Sequence, residues 1–434
     1  MIETIKSIIL DFQELTLETG APRRLRIEVV PGKATVCIGV RRSGKSTYLY
    51  QVIQRLLDDG VPRENILYLN FFDDRLHNLR QEGPGLITEA YYSLYPEKKN
   101  AETVYCFFDE IQEVEGWEPF VDRLMRTEQC EVYITGSSAQ MLSKEIATQM
   151  RGRALSWEMF PFSFREYLDY KGVESAGPLS TKKRFLVQKA FEKYWETGGF
   201  PEVAGLDRYL RIKIHQEYFR AVLFRDLVER HDVSHPKALT DLAHRLMDNT
   251  ASLYSVNSLT GYLKSLGHKA PKSAVSDYLE WFEDAYFFFT VRIFDASLAR
   301  SKTNPKKIYC IDHALVTSVS SGILVNSGHL LENLVFTALR RVSPEICYYK
   351  TKGGLEVDFI AQVRDRSRLL VQVCESMAEP QTRKREITAL GEAMLELGLK
   401  TGTIVTRNEE EEIKVNGGKI EVVPVWRFLL NLPE

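Results

Sequence analysis

The chain has 434 residues with a formal net charge of −2, and 44% of them are hydrophobic and 27% charged. This length exceeds one ordinary hydrophobic core, so the sequence predicts several domains of a globular protein. The small net charge excludes attraction of the whole chain to nucleic acid and leaves only local basic patches for such binding. The cysteines form no C-x-x-C pair and no run approaches about 20 apolar residues, which predicts a cytoplasmic protein with reduced thiols and no membrane partner.

Apolar runs that are typical of strands alternate with helical segments over residues 1–160. Residues 27–38 predict a strand, a Pro-Gly turn and a second strand, and the runs NILYLNFF, TVYCFFDE and CEVYITGSS follow further along the chain. Strands that alternate with helices pack into a mostly parallel sheet covered by helices on both faces. The fold class predicted for this region is therefore α/β.

The stretch GVRRSGKST, residues 39–47, fulfils the pattern G-x-x-x-x-G-K-[ST] between a predicted strand and a predicted helix. The glycines allow backbone N–H groups to surround phosphate oxygens, and the helix N-terminus adds partial positive charge. Lys45 would contact the β- and γ-phosphates of ATP, and the Ser46 hydroxyl would bind Mg²⁺. The alternative is a glycine turn before an ordinary helix. The predicted ATP-binding residues are Gly39, Arg42, Ser43, Gly44, Lys45, Ser46 and Thr47.

A pair of acidic residues follows the apolar run VYCFF. Asp109 at the strand end is predicted to hold Mg²⁺ together with Ser46, and Glu110 is predicted to polarise the hydrolytic water. The alternative is that both acids cap a helix N-terminus, where Asp and Glu are favoured. Because the pair follows a phosphate-binding loop (P-loop) in the sequence, it favours catalysis of ATP hydrolysis.

The next predicted strand ends in YITGSS, and a helix and the sequence RGRALSWEMF follow it. Thr135 or Ser137 would lie beside the γ-phosphate and respond to its loss. This order of parts resembles AAA+-type ATPases, in which an arginine at the place of Arg151 or Arg153 usually reaches the nucleotide of a neighbouring subunit. The resemblance therefore implies a homo-oligomer. The alternative is that both arginines are solvent-facing caps at a helix C-terminus.

The motifs GVRRSGKST, FFDEIQ, TGSS and RGR, followed by FPFSFREYL, YWETGGFPEV and LFRDLVER, have a more specific parallel. Together they resemble predicted prokaryotic AAA+-type ATPases with a C-terminal restriction-endonuclease-like domain of unknown function. The resemblance implies a P-loop NTPase core of the AAA+/ASCE type at residues 1–160, a helical lid at 161–240, a winged helix at 241–312 and a nuclease-like α/β domain at 313–434.

Two predicted helices joined by the tight turn GHKAP, followed by two β-rich runs, also have the outline of a winged helix. Basic residues surround the turn and the predicted wing, and would suit a DNA backbone: Lys264, His268, Lys269, Lys272, Arg300, Lys302, Lys306 and Lys307. The acids Glu280, Glu283 and Asp284 oppose deep insertion of the second helix into a groove. A lid or a subunit contact is the alternative role.

The C-terminal region carries part of a PD-(D/E)xK nuclease pattern. Glu332 lies on a predicted helix, and Glu356 and Asp358 lie on one face of a predicted strand. On the next strand Gln372 and Cys374 stand where a nuclease has Glu and Lys. Glutamine is a poor Mg²⁺ ligand and cysteine cannot replace an ammonium, so we predict a catalytically inactive domain.

This domain could still bind DNA or a protein partner through its basic residues, and a strand meander unrelated to nucleases is the alternative. Those basic residues are Lys350, Lys352, Arg364, Arg366 and Arg368. The sequence as a whole predicts a Mg²⁺-dependent ATPase that acts as an oligomeric switch or motor on DNA or a protein partner. A nucleotide-dependent adaptor with vestigial hydrolysis and an ATP-regulated nuclease are the competing hypotheses.

Overall fold

The structure is a computed structural model that describes residues 1–137, 150, 152–295, 297, 300–301, 304–320, 326–363 and 367–433. Arg151, Lys302, Arg364 and Arg366, which the sequence singles out, lie outside the described residues. The chain divides into two compact units, Met1–Phe160 and Pro161–Glu434. Among the described helices, none combines the length and the apolar character that a membrane crossing requires.

The first unit is built on a parallel sheet. Its strands are β1 (Ala34–Ile38), β2 (Ile66–Asn70), β3 (Val104–Asp109), β4 (Cys130–Gly136) and β5 (Ala154–Glu158). They lie in the order β2-β3-β4-β1-β5, and every neighbouring pair is parallel. β1 and β2 are buried along nearly their whole length, as expected for a sheet that is covered on both faces. The predicted α/β fold with a parallel sheet is confirmed.

The described residues of the first unit form five helices: α1 (Ile2–Glu14), α2 (Lys45–Asp58), α3 (Leu79–Glu82), α4 (Leu86–Leu94) and α5 (Trp117–Thr127). The buried positions of α2, Tyr48, Leu49, Val52 and Ile53, recur at helical spacing. They join a core cluster that includes Phe107 of β3 and other sheet residues. Packing of this face fixes α2 directly behind the loop that follows β1.

The strand predicted at residues 27–30 is absent: residues 21–30 form neither a strand nor a helix. β1 already pairs with β4 on one side and with β5 on the other, where Ala34 lies opposite Ala154. No backbone edge of β1 is left for a further strand, although Leu25 and Ile27 still pack against the core. Residues 27–30 have β-propensity, but β5, from much later in the chain, pairs with β1 in their place.

The second unit begins with helices and mixes helices and strands thereafter. The helices are α6 (Phe164–Tyr170), α7 (Thr181–Thr197), α8 (Arg208–Ala221), α9 (Pro236–Asp248), α10 (Val256–Ser265), α11 (Lys272–Asp284), α12 (His313–Val319), α13 (Ser327–Val342), α14 (Pro380–Leu397) and α15 (Val425–Asn431). A π-helical stretch, Val222–Glu229, continues directly from α8. The long helical segment predicted around this stretch is present, with a local widening of its helical turns.

Within the part of the second unit that the structure describes, nine strands form one sheet. They are β6 (Leu253–Tyr254), β7 (Phe288–Ile293), β8 (Lys306–Cys310), β9 (Ile346–Lys350), β10 (Glu356–Gln362), β11 (Arg368–Val373), β12 (Thr401–Thr406), β13 (Glu411–Val415) and β14 (Gly418–Pro424). Their order is β13-β14-β12-β11-β10-β9-β7-β8-β6. β7 pairs with β9 over only two positions, Arg292 with Cys347 and Ile293 with Tyr348.

This sheet joins strands that the sequence assigns to two domains. β6, β7 and β8 lie in the segment predicted as a winged helix, and β9 to β14 lie in the segment predicted as nuclease-like. β9, β10 and β11 form an antiparallel meander, and α14 connects β11 to the parallel strand β12. All three predicted segments after residue 160 fall within one compact unit. Their division into a lid, a winged helix and a nuclease-like domain stays a prediction.

Candidate nucleotide-binding site

The carboxyl ends of three neighbouring strands meet at one edge of the first sheet. Ile38 at the end of β1 lies opposite Gly136 of β4, and Phe108 of β3 lies opposite Ile134 of β4. Because all three strands are parallel, the residues that follow them lie side by side. This edge therefore brings together the glycine-rich loop, the acidic pair and the end of the YITGSS segment.

The glycine-rich loop needs glycine for steric reasons. Gly39 has φ 153°, and a Cβ atom there would collide with the carbonyl oxygen of Met159. Gly44 has φ 97°, and even Arg42 between them adopts a positive φ of 64°. Backbone of this kind is readily adopted only by glycine and turns successive N–H groups toward one side. The loop has the shape expected of a phosphate-binding turn ahead of α2.

Lys45, the first residue of α2, is almost fully buried, with 4% of its surface exposed. Its Nζ donates hydrogen bonds to the carbonyl oxygens of Gly39 at 3.0 Å and Val40 at 3.2 Å. The same atom lies 3.7 Å from Oε1 of Glu110. The ammonium is thus held at the inner side of the loop beside the second acid, where phosphate oxygens would replace weak carbonyl contacts.

Asp109 is completely buried and accepts hydrogen bonds from both strands that flank β3. Its Oδ1 accepts the hydroxyl of Thr135 on β4, and its Oδ2 accepts the hydroxyl of Tyr68 on β2 at 2.9 Å. Asn70, opposite Asp109 in the β2–β3 register, approaches Oδ2 with its amide nitrogen at 3.3 Å. Burial raises the pKa of Asp109, while hydrogen bonds from Thr135 and Ser46 act to lower it. The carboxylate is fixed within reach of Ser46.

Glu110 adopts a left-handed backbone conformation with φ 56°, which is uncommon for a residue with a side chain. Its backbone N–H donates to Oγ1 of Thr135 at 3.0 Å, and Gln112 Nε2 donates to its Oε2 at 2.6 Å. A short 3₁₀ turn follows, but the Glu110 side chain makes no capping hydrogen bond to it. Glu110 thus stands at the N-cap position of this turn without capping it through its side chain, which approaches Lys45 instead.

Two buried hydroxyls at this edge have no hydrogen-bond partner among the described residues: Oγ of Ser43 in the loop and Oγ of Ser137 after β4. Thr135, in contrast, uses its single hydroxyl hydrogen on Asp109. A buried hydroxyl without a partner costs free energy, and an incoming phosphate oxygen would satisfy it. Of the two residues predicted to contact the γ-phosphate, Ser137 has no hydrogen-bond partner among the described residues, whereas Thr135 is hydrogen-bonded to both Asp109 and Glu110.

The residues at this edge suit a nucleotide polyphosphate with Mg²⁺. The loop N–H groups, the Lys45 ammonium and the orphaned hydroxyls are all hydrogen-bond donors for anionic oxygens. Ser46 and Asp109 offer a hydroxyl and a carboxylate, the oxygen ligands that Mg²⁺ prefers. Thr47, one residue further into α2, lies against the main chain near Gly20.

The comparison with protein families agrees with this geometry. Residues 31–168 match the protein-family model described as AAA domain. Residues 188–323 and 327–428 match two models described as domains of unknown function, DUF8612 and DUF4143. The sheet order and the loop geometry of the first unit fit the first of these descriptions. The N-terminal unit is an AAA-type P-loop domain.

Two relatives cover almost the whole chain. The uncharacterized protein MJ1544 of Methanocaldococcus jannaschii is 34% identical over 98% of this chain and 95% of its own length. An uncharacterized protein of Haemophilus influenzae is 31% identical over 91% of this chain and 94% of its own. The chain belongs to the family of these two proteins. In this chain an AAA domain thus precedes the two domains of unknown function.

Solved structures give a more distant likeness. A Walker-type ATPase of Pyrococcus abyssi is 15% identical to this chain with a TM-score of 0.42. The match covers 66% of this chain and 90% of the ATPase. The Orc1 protein of Aeropyrum pernix, solved with DNA, has 13% identity and a TM-score of 0.33, covering 74% and 92%. Both scores are too low to indicate a function, so the AAA assignment depends on the family match and the site geometry.

Arg23 contacts the glycine-rich loop, and no sequence motif points to it. Its Nη1 donates to the carbonyl oxygen of Ser43 at 2.5 Å and its Nη2 to that of Phe160 at 2.6 Å. Gln51 of α2 accepts from the backbone N–H of Arg23 at 3.2 Å. This arginine ties the loop to the segment before β1. Asn70 ends β2 as Asp109 ends β3, so its position at a strand end could have identified it. Nothing in the local sequence points to Arg23.

Arg153 of the predicted arginine pair is half exposed and lies just before β5. Its Nη1 is 3.2 Å from Oδ1 of Asp122 on α5, which Arg126 also contacts at 3.1 Å. Its described contacts therefore lead away from the P-loop of its own chain. Arg151, the other candidate, lies outside the described residues.

The structure separates the basic residues of the predicted winged helix into different environments. Lys264, Lys269 and Lys272 are exposed around the α10–α11 turn, while His268 Nε2 lies 2.6 Å from Oδ2 of Asp241. Among the acids of α11, Glu283 is turned inward, where its Oε1 accepts the backbone N–H of Thr290 at 2.7 Å. The three lysines at the turn therefore form a basic surface.

Lys307 was predicted to lie on the exposed wing, and this prediction is wrong. It lies inside strand β8 with 3% of its surface exposed, whereas the preceding Lys306 is only partly buried. Successive side chains of a strand point to opposite faces, so only one of the two lysines can face solvent. Burial acts to lower the pKa of Lys307, but Asp358 and further acidic groups outweigh it and raise the pKa well above its usual value.

The acids of the predicted nuclease pattern come together around this lysine. Glu332 of α13 and Glu356 and Asp358 of β10 all place an oxygen within 2.9 Å of Lys307 Nζ. Burial and the charge of Asp358 raise the pKa of Glu332, and the charge of Lys307 opposes this rise. Cys374, in contrast, packs in the apolar core between β10, β11 and α14. The sequence therefore found the acids of this cluster and missed its cation.

Proposed function

We propose that the chain binds ATP with Mg²⁺ at the β1–β3–β4 edge and hydrolyses it. The observation that carries this proposal is the approach of Lys45 Nζ to Glu110 Oε1 at 3.7 Å, inside a glycine loop that is closed against Met159. A phosphate-binding cation and a water-activating carboxylate stand at the same point. That juxtaposition is what the transfer of a γ-phosphoryl group to water requires.

Each residue at the edge has a distinct role in the proposed reaction. Lys45 and the loop N–H groups bind the phosphates, and Glu110 orients the attacking water and accepts its proton. Mg²⁺, when bound, would be held by Ser46 and Asp109 and would neutralise part of the phosphate charge. Ser137 contacts the γ-phosphate, and Thr135 holds the backbone of Glu110 and the carboxylate of Asp109 in register.

The arrangement around Glu110 favours hydrolysis over a purely conformational use of ATP. A nucleotide-dependent adaptor would need the loop and Lys45 but no oriented carboxylate. Here Glu110 is held by Thr135 through its backbone and by Gln112 through Oε2, which leaves Oε1 directed at Lys45. Such pre-organisation supports an active water-orienting residue.

Three variants test the proposal, with ATP binding measured by calorimetry and turnover measured by phosphate release. Lys45→Ala is expected to abolish ATP binding, because it removes the ammonium that the loop carbonyls hold beside Glu110. Glu110→Gln is expected to retain ATP binding but to lose turnover by about 10²- to 10⁴-fold. The control Glu115→Gln changes an exposed acid five residues later and is expected to behave as the wild type. Normal turnover of Glu110→Gln would overturn the mechanism.

We further propose that the protein acts as a homo-oligomer in which Arg153 or Arg151 completes the site of a neighbouring subunit. The half-exposed position of Arg153, with its contact to Asp122, supports a reach away from its own P-loop. The segments 161–240, 241–312 and 313–434 would serve as lid, winged helix and nuclease-like module. The exposed lysines at the α10–α11 turn support DNA as the partner, and a protein partner is the alternative if DNA has no effect.

A further inference from the structure

The second unit contains a buried ammonium surrounded by carboxylates. Lys307 Nζ lies 2.8 Å from Oδ1 of Asp358, 2.9 Å from Oε1 of Glu332 and 2.9 Å from Oε1 of Glu356. The ammonium donates hydrogen bonds to Glu332 and Asp358, and Glu356 contributes a third carboxylate oxygen at ion-pair distance. Tyr309, two residues along the same face of β8, donates its hydroxyl to the same Oε1 of Glu332 at 2.6 Å.

Lys307 and Asp358 are far apart in the sequence, and they lie on strands of the sheet that are not neighbours. β7 and β9 lie between β8 and β10 in the strand order. A flat sheet would separate β8 from β10 by three spacings, roughly 14 Å, which exceeds the reach of a lysine side chain. The sheet is therefore not flat between β8 and β10, and Lys307 connects these two strands across β7 and β9.

The polar atoms of Asp358 and Gln372 next to the lysine have further hydrogen-bond partners. Oδ2 of Asp358 accepts the backbone N–H of Val373 at 2.9 Å. Gln372 accepts the backbone N–H of Asp358 with its Oε1 at 3.2 Å and donates to Oε2 of Glu386 with its Nε2 at 2.7 Å. The amide of Gln372, at the place of the expected glutamate, therefore connects the backbone of Asp358 to the side chain of Glu386. Among the described residues no group of His, Cys, Asp or Glu side chains is arranged to hold a metal ion.

We propose that Lys307 is a tethered cation that occupies the place of a divalent metal ion in this carboxylate site. Hard divalent cations bind carboxylate oxygens of the kind that surround Lys307 Nζ here. In the wild-type chain the site would hold β8, α13 and β10 together without metal and would not support metal-dependent DNA cleavage. Removal of the ammonium alone would leave three carboxylate oxygens around one vacated point and would create a cation site. This proposal is independent of the ATPase proposal, because it concerns only the second unit.

The test compares terbium binding to three full-length chains without nucleotide: wild type, Lys307→Met and the neighbouring control Lys306→Met. Luminescence of Tb³⁺ excited through tyrosine suits this site, since Tyr309 touches Glu332. All three chains share the P-loop, so only a difference between them reports on Lys307. We expect Lys307→Met to bind one additional equivalent at least tenfold more tightly than any weak binding by the other two, and to lose it when Asp358→Asn is added.

A second measurement does not depend on how the variant folds. In the wild-type chain, amine acetylation followed by mass spectrometry should modify Lys306 at least tenfold faster than Lys307, with or without millimolar Mn²⁺. If Lys307→Met folds only when Mn²⁺ is present, that recovery supports the proposal. Three results would overturn it: a folded Lys307→Met chain without extra Tb³⁺ binding, exposure of wild-type Lys307 to acetylation by Mn²⁺, or Mn²⁺-dependent DNA cleavage that Asp358→Asn abolishes.

Discussion

Thr135 on β4 donates its hydroxyl hydrogen to Asp109 on the adjacent strand β3, and the same oxygen accepts the N–H of Glu110. One side chain thus fixes both acids of the proposed site. Thr135→Val keeps the shape but removes the hydroxyl, leaving a buried N–H and a carboxylate oxygen without this partner. We expect a loss of about 1–3 kcal/mol in the free energy of unfolding together with a fall in ATP turnover.

Ser137→Ala provides the matched comparison at the end of the same strand. The hydroxyl of Ser137 has no hydrogen-bond partner among the described residues, so its removal should leave the free energy of unfolding within about 0.5 kcal/mol of the wild type. Turnover should nevertheless fall, because the γ-phosphate is deprived of a hydrogen-bond donor. Urea unfolding without nucleotide and phosphate release measure the two effects. Equal stability losses in both variants would contradict the division of roles.

Arg153 and Arg126 offer a test of the neighbouring-subunit contact, because both contact the same carboxylate of Asp122. If Arg153 is only a structural partner, Arg153→Ala and Arg126→Ala should have similar, small effects on turnover. If it completes a neighbouring site, Arg153→Ala alone should lower turnover by about 10³-fold or more. The side chains of Arg153 and Arg126 are 41% and 53% exposed, and partly exposed ion pairs of this kind contribute little to stability, so the comparison is not obscured by unfolding.

A mixing experiment decides whether the arginine acts between subunits. Arg153→Ala lacks the arginine but keeps Lys45, and Lys45→Ala lacks the lysine but keeps the arginine. An oligomer that forms from both inactive chains should contain some intact sites and regain part of the turnover. If each chain were inactive alone and no activity returned after demonstrated subunit exchange, the contact would lie within one chain.

The exposed lysines of the α10–α11 turn predict a salt-dependent affinity for DNA. Changing Lys264, Lys269 and Lys272 to Glu should weaken binding and lower the slope of log K against log salt by about one for each phosphate that is no longer neutralised. Lys414→Glu, at an exposed position of β13, is the control. Fluorescence anisotropy at several salt concentrations measures the slopes. Unchanged binding would direct the search to a protein partner.

The meeting of the glycine-rich loop and the acidic pair was predictable because each of these parts is local in the sequence. Gly39 to Thr47 form one continuous loop, and Asp109 and Glu110 follow directly on an apolar strand whose end must meet the loop in a parallel sheet. The division of labour between Thr135 and Ser137 was not predictable. Their hydrogen bonds depend on the register of β3 against β4, which no local pattern specifies.

The second unit shows where local patterns fail. Lys307 looks like a wing residue, because it follows Lys306 after a polar turn, and its true partners lie 25 to 51 residues further along the chain. Lys307 on β8 meets Asp358 on β10 only through the tertiary arrangement of the sheet, in which β7 and β9 lie between these two strands. The strand predicted at residues 27–30 failed for a similar reason, since β5 occupies the edge of β1 that it needed.

His215 on α8 predicts a loss of stability in acid. It is fully buried, its Nδ1 lies 2.9 Å from Oγ of Ser318, and its Nε2 has no hydrogen-bond partner among the described residues. Burial is the main reason that the pKa of His215 falls to about 4; Arg211 and His313 lower it further and Asp312 opposes them. The folded state therefore keeps the ring neutral at pH values where the unfolded chain binds a proton.

The direction of the pH effect follows from this difference. The contribution of His215 is fully present above pH 6.5, the pKa of an unperturbed histidine, and is lost as the pH falls toward 4. It amounts to about 3 kcal/mol at most. We expect His215→Gln, which keeps a donor for Ser318, to lose less stability than the wild type between pH 7 and pH 4.5 in urea unfolding. His77→Gln changes an exposed histidine and should follow the wild-type curve. Parallel curves for all three chains would show that His215 takes up its proton in the folded state without penalty.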